Sequence, residues 1–262
     1  SFRINKKYMK NVIFIVNISG DDDRNKPYHY SIKSWKTWAD KNNAELFVLT
    51  EKVYESDYMH LNWHKSLAIK LLKENNIEFD QVLIVDADTI VHPDCPNFFK
   101  ETEGKLCAVV NEGCYEWVTR SIENYGDYIF PEIPKIKPWE YFNSGFIIAS
   151  KEHEEFFDSV LQYYHDNVDK FIHAKSFHVG NDQTPLNYFT KKFNVKTKLL
   201  PSCYNLQDMA RKTLFTLGYQ NWSEDSLFLK AGWVYHFNAI PANMGDVAYW
   251  MEYTYNKLYE NE

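Results

Sequence analysis

No stretch of the chain approaches the ~20 apolar residues that a membrane span requires. Its first apolar run, Val12 to Val16, is far shorter than a signal-peptide core. A soluble protein is expected. Basic runs are missing as well, and the formal charge is −7. Phosphate backbones are gripped mainly by clustered Lys and Arg, so a general nucleic-acid-binding surface is not expected. Cysteine is scarce: Cys95, Cys107, Cys114 and Cys203 form no CxxC pair and are too few for a disulfide framework in a chain of 262 residues. Reduced thiols and a cytoplasmic setting follow as expectations.

What is present suits a well-filled α/β core. Hydrophobic residues make up 45% of the chain and aromatic residues 17%. Most of those rings fill core and surface, and some are expected to line a cleft, because sugars stack on aromatic faces. With no interior linker, residues 9–262 read as one domain, and residues 1–8 as an extension of no assigned function.

Strand-length apolar runs alternate with helix-period segments, the pattern of βα units around a largely parallel sheet. Strands are expected at Val12 to Val16, Glu45 to Leu49, Gln81 to Val85, Leu106 to Val110, Phe142 to Ala149, Val195 to Leu200 and Gly232 to Phe237. Helices are expected over Tyr30 to Asn42, Leu61 to Asn75, a segment with Phe156, Phe157, Val160, Leu161 and Tyr164 on one face, a start near Asp182, and Asp246 to Tyr259. Asn111 to Tyr141 is poorer in pattern and broken by Pro131, Pro134 and Pro138, so it reads as a long excursion over the cleft.

Two carboxylates, Asp86 and Asp88, follow the buried run Val82 to Val85, at the strand end where open α/β sheets place their ligands. A divalent cation there could bridge carboxylate and phosphate oxygens. At ~4 Å and an effective dielectric near 20, each unit-charge pair is worth about 4 kcal/mol. The spacing alone says little, because 17 Asp residues supply an Asp-x-Asp by chance, and Asp21 to Asp23 form such a decoy in a turn-like stretch. The apolar strand before Asp86 favours a metal site over a solvated turn.

Val85-Asp86-Ala87-Asp88-Thr89 resembles the DXD metal motif of GT-A glycosyltransferases, which have a Rossmann-like α/β fold with a mostly parallel central sheet. Tyr141-Phe142-Asn143-Ser144-Gly145-Phe146 is similar to the Tyr-Phe-Asn-Ser/Ala-Gly strand of the retaining enzymes of glycosyltransferase family eight. Asn181-Asp182-Gln183, with Leu186-Asn187, is similar to their Asp-Gln-x-x-x-Asn helix start. The resemblance implies that Asp86, Asp88 and the late His236 hold Mn²⁺ or Mg²⁺. It also implies that Asp182 and Gln183 lie beside the anomeric carbon and that Asn143 orients sugar hydroxyls. The family's usual Gly-x-x-Lys, whose lysine contacts the diphosphate, has no counterpart in Ala239 to Asn243, and Lys65 is the substitute considered. Nucleotide base and ribose are expected at Asn17, Ser19, Asp23 and Arg24.

The expected function is thus hexosyl or pentosyl transfer from a nucleotide-diphosphate sugar, with retention, to a glycan, protein, lipid or modified nucleobase. Plainer roles compete at single residues: a core histidine for His236, a surface lysine for Lys65 and a helix N-cap for Asp182. Two other functions compete for the whole chain. One is a nucleotidyltransferase, which normally opens with a Gly-rich, Arg/Lys-bearing phosphate loop where this chain has only Gly20 and Arg24. The other is a catalytically inactive sugar- or nucleotide-binding module.

Overall fold

The computed structural model describes residues 9–19, 23–215, 227–241 and 243–260. The extension expected at residues 1–8, the decoy residues Asp21 and Asp22, and Ala242 lie outside the described residues. Among the described residues there are eight strands: β1 (Asn11–Val16), β2 (Ala44–Leu49), β3 (Gln81–Asp86), β4 (Thr89–Val91), β5 (Leu106–Val110), β6 (Phe142–Ser150), β7 (Thr197–Leu200) and β8 (Val234–His236). Six of them form the central sheet in the order β2-β1-β3-β6-β5-β7. β2, β1 and β3 are parallel, β7 is parallel to β5, and β6 is antiparallel to both β3 and β5. Five strands therefore share one direction and β6 alone is reversed, which makes the sheet mostly parallel.

The unbroken apolar runs of β1 and β3 reflect burial on both faces. Val12, Phe14, Val82 and Ile84 point into one core, and Ile13, Ile15, Leu83 and Val85 into the other. Each core takes a different helix. α1 (Tyr28–Asn42) gives Trp35, Trp38 and Ala39 to the second core, while α2 (Ala68–Glu74) gives Ala68, Leu71 and Leu72 to the first. Full burial of one such side chain stabilises by about 1.5–3 kcal/mol.

Three differences from the sequence reading have clear causes. The excursion contains α3 (Tyr115–Tyr128), whose inner face is Val118, Ser121, Ile122, Tyr125 and Gly126. Serine and glycine on that face hide its apolar period. The helix expected over Leu61 to Asn75 begins as a 3₁₀ turn, Leu61–Leu67, capped by the His60 side chain, and becomes α-helical only at Ala68. Thr89–Val91 leaves the main sheet and pairs with β8 in a separate antiparallel ribbon, Thr89 opposite His236.

Four further helices, α4 (Glu154–Asp166), α5 (Val168–Ala174), α6 (Gln183–Lys192) and α7 (Val247–Tyr259), complete the layers. α5 had no signal in the sequence reading. Among the described residues no helix is long and apolar enough to cross a membrane, and the four cysteines are free.

Candidate active site

β3 ends in Asp86, the chain turns through Ala87 and Asp88, and β4 begins at Thr89. That turn is held from below. The Trp35 indole donates to Thr89 Oγ1 at 2.9 Å, and the Thr89 hydroxyl donates to the Asp86 carbonyl at 2.7 Å. Pairing of β4 with β8 then sets His236 opposite Thr89, and Phe237 N donates to the Asp88 carbonyl at 2.9 Å. His236 Nε2 lies 3.2 Å from Asp88 Oδ1 and 3.8 Å from Asp86 Oδ2. One ligand atom from each of the three residues lies within 4.8 Å of the others.

The histidine tautomer follows from a chain of amides. Asn143 Oδ1 accepts from the Gly145 N–H at 2.8 Å and from Asn205 Nδ2 at 3.0 Å, so the Asn205 oxygen faces His236 Nδ1, at 3.0 Å. Nδ1 is thereby the donor. In the neutral ring, Nε2 turns its lone pair toward the carboxylates, as a metal ligand requires. Burial opposes a charge on His236, but Asp88, and then Asp86, outweigh it and raise its pKa. A divalent cation would meet the same electrostatic demand. Two carboxylates and one imidazole make a donor set that fits Mn²⁺ well and Mg²⁺ less well.

Gly145 is needed here by close approach. A Cβ on it would stand 2.4 Å from His236 Cε1 and 2.9 Å from Asp86 Oδ2. The backbone around it leaves the ladder: pairing with β5 jumps from Ala108–Ile147 to Val109–Asn143, so Ser144 to Phe146 have no partner on that strand. Side chains take up the freed donors. The Ser144 N–H bonds Gln183 Oε1 at 3.1 Å, and the Gly145 N–H bonds Asn143 Oδ1.

Lys65, its side chain 7% exposed, joins Asp86 to the start of α6. Its ammonium lies 2.6 Å from Asp86 Oδ1 and 3.3 Å from Asp182 Oδ2. Burial disfavours that charge, but Asp182 and Asp86 together outweigh the penalty and raise its pKa above the ordinary lysine value. Asp182 stands at the N-cap position of α6 without making a side-chain cap. Its carboxylate instead accepts from Ser144 Oγ at 2.8 Å and pairs with Lys65. Gln183 Nε2 is buried and makes no hydrogen bond among the described residues.

These residues share one cleft of about 1020 Å³, whose walls include Arg24, Lys65, Asp86, Asp88, Asn143, Asp182, Gln183 and His236. At the β1 end, Arg24 Nε donates to the Tyr28 hydroxyl at 3.2 Å. Burial first, and then Asp88, push that hydroxyl up to about 12. Asn17 and Ser19 are not on the wall: Asn17 Oδ1 accepts from Asn25 Nδ2 at 2.7 Å, and Ser19 is exposed. Asp23 opens the 3₁₀ turn Asp23–Asn25. The sequence reading missed Tyr28, His60, Asn205 and Asp208, which carry no motif; Asn205 and Asp208 follow a short strand in a stretch without period.

No protein-family model matches the sequence, nor does any curated protein. Solved structures do match by shape. A glycosyltransferase involved in the glycosylation of the major capsid of PBCV-1 superposes with a TM-score of 0.61 at 9% identity, over 93% of this chain and 99% of the other. Mouse xyloside xylosyltransferase 1, in its apo form, gives a TM-score of 0.47 at 11% identity, over 89% of this chain and 99% of the other. With its mostly parallel six-strand sheet and the superposition on the first of these, the chain has the fold of a GT-A glycosyltransferase.

Proposed function

We propose that this protein is a metal-dependent glycosyltransferase that moves a sugar from a nucleotide-diphosphate donor to an acceptor hydroxyl with retention of anomeric configuration. The observation that carries the reading is the convergence of Asp86, Asp88 and His236 at the carboxyl end of β3, inside the cleft. A bound Mn²⁺ or Mg²⁺ would neutralise charge developing on the departing diphosphate. Asp86, Asp88 and His236 are its ligands in this reading, and Arg24, on the same wall, supports the phosphates.

Asp182, held by Lys65 and Ser144, offers negative charge to an anomeric carbon that becomes oxocarbenium-like. Gln183, whose Oε1 accepts from the Ser144 N–H, lines the cleft beside Asp182 and faces the donor sugar in this reading. Asn143 acts by holding Gly145 and Asn205 in place, besides any contact with the sugar. The bond from the anomeric carbon to the phosphate oxygen breaks and the bond to the acceptor oxygen forms on the same face. The acceptor's proton passes to the departing phosphate oxygen, so no separate protein base is required. The likeness of Tyr141 to Phe146 and of Asn181 to Gln183 to retaining enzymes supports this stereochemistry. Four free thiols support a reducing, cytoplasmic setting.

A thermal-shift screen of nucleotide-sugars with and without Mn²⁺ would identify the donor, because a ligand that binds only the native state stabilises it by mass action. Product analysis should then find free nucleoside diphosphate, and proton NMR of the first product should show the donor's anomeric configuration. Release of pyrophosphate would identify a nucleotidyltransferase instead. Binding with no turnover of any donor would identify an inactive binding module.

A further inference from the structure

The cleft wall at the end of β5 holds a carboxylate that the mechanism above does not use. Asp208 is 4% exposed and lines the cleft. Its backbone has a φ of 52°, a conformation that residues with a Cβ adopt at a cost and that persists where surrounding structure enforces it. Here its N–H donates to Asn238 Oδ1 at 2.8 Å, and Arg211 donates to its Oδ1. Asp208 Oδ2 has no hydrogen-bond partner among the described residues. It lies over Gly113, where a Cβ would come within 1.7 Å of it.

Strand order separates this carboxylate from the nucleotide end. Gln207 Nε2 donates to the Val110 carbonyl at 2.8 Å, which fixes the segment at the end of β5. β5 lies three strands from β1, with β3 and β6 between them, a separation of about 14 Å at the usual strand spacing. A donor that reaches from Arg24 and Tyr28 to Asp86 and Asp88 leaves the β5 end to a second substrate. Trp117, in the first turn of α3, lines the same cleft and brings an aromatic ring to it.

We propose that Asp208, Gly113 and Trp117 form an acceptor subsite for a neutral carbohydrate, with Asp208 Oδ2 accepting a hydrogen bond from a sugar hydroxyl. This rests on the glycosyltransferase reading. The Arg211–Asp208 pair on this wall carries no net charge, and a carboxylate oxygen only accepts, so Oδ2 suits a hydroxyl donor of an uncharged molecule.

The test uses the donor with the largest metal-dependent thermal shift and two acceptor sets: methyl glycosides of neutral hexoses and pentoses, and sugar phosphates. Wild type should transfer to a neutral glycoside. Asp208→Asn removes the charge while keeping a side chain that tolerates positive φ. It should raise the acceptor KM by on the order of tenfold or more, with the affinity for nucleoside diphosphate and Mn²⁺ unchanged. Gly113→Ala, which displaces the carboxylate without removing it, should do the same. An unchanged acceptor KM in Asp208→Asn, a parallel loss of nucleoside diphosphate affinity, preference for sugar phosphates, or donor consumption with no glycoside accepted would each overturn the subsite. If wild type releases nucleoside diphosphate from no donor, the glycosyltransferase reading itself fails and the subsite with it.

Discussion

His236 Nδ1 and Asn205 Oδ1 lie 3.0 Å apart, both residues buried, and this contact fixes which ring nitrogen faces Asp88. Asn205→Ala removes the acceptor and also one of the two donors to Asn143. It should weaken Mn²⁺ binding about tenfold or more, the usual consequence of losing an outer partner of a metal histidine. Calorimetric titration of Mn²⁺ in the presence of nucleoside diphosphate measures it. Equal affinities would mean that the ring is oriented by its packing alone.

Gly145→Ala tests the close approach at the centre of the site. Its Cβ would stand 2.4 Å from His236 Cε1, so the imidazole or β6 must move. The expected outcome is a loss of metal affinity together with about 1–3 kcal/mol of stability, the usual cost of overpacking. Urea denaturation and Mn²⁺ titration on the same sample would read both. A stable variant that binds metal normally would show that the close approach is slack.

Lys65→Met leaves Asp86 and Asp182 without the ammonium they share. Removing one partner from a buried charge network costs about 3 kcal/mol or more, because the remaining charge stays uncompensated. The double variant Lys65→Met with Asp182→Asn should recover part of that loss, since the orphaned charge at Asp182 is then gone. If the double variant were as unstable as the sum of the singles, the two residues would not be coupled.

Thr89→Val breaks the relay from the Trp35 indole through the Thr89 hydroxyl to the Asp86 carbonyl. A buried indole N–H is left without its acceptor, at a cost of about 1–3 kcal/mol. A smaller drop in Mn²⁺ affinity should accompany it, because the turn that carries Asp86 and Asp88 loses its support. Thermal unfolding and metal titration would separate the two effects.

The parts of the site legible in the sequence are those that ride on strong patterns. Val82 to Val85 reads as a buried strand because both faces are covered, and that marks Asp86 and Asp88 as residues at a strand end. His236 was reachable only through the likeness to GT-A enzymes, which carry a late histidine at a strand end, and the ribbon that pairs it with Thr89 was not foreseen. Asn205 and Asp208 were invisible for a different reason. Their importance comes from what lies across from them, His236 in one case and Gly113 and Asn238 in the other, and no local period encodes a contact with a distant segment. α3 was hidden by composition, since its inner face spends two positions on Ser121 and Gly126.

The reversed strand β6 also bears on how the protein reaches its native state. Val85 pairs with Phe146, 61 residues later in the chain, and β6 must slot between β3 and β5 from the opposite direction. Pairings between such distant segments form slowly, because loop-closure entropy is spent before any contact repays it. Gly145 comes with β6, and His236 comes with β8 later still. No early fragment of the chain can therefore assemble the cation site. During synthesis or refolding, a cation held by Asp86, Asp88 and His236 would be captured only after β6 and β8 are in place, so it would report complete folding.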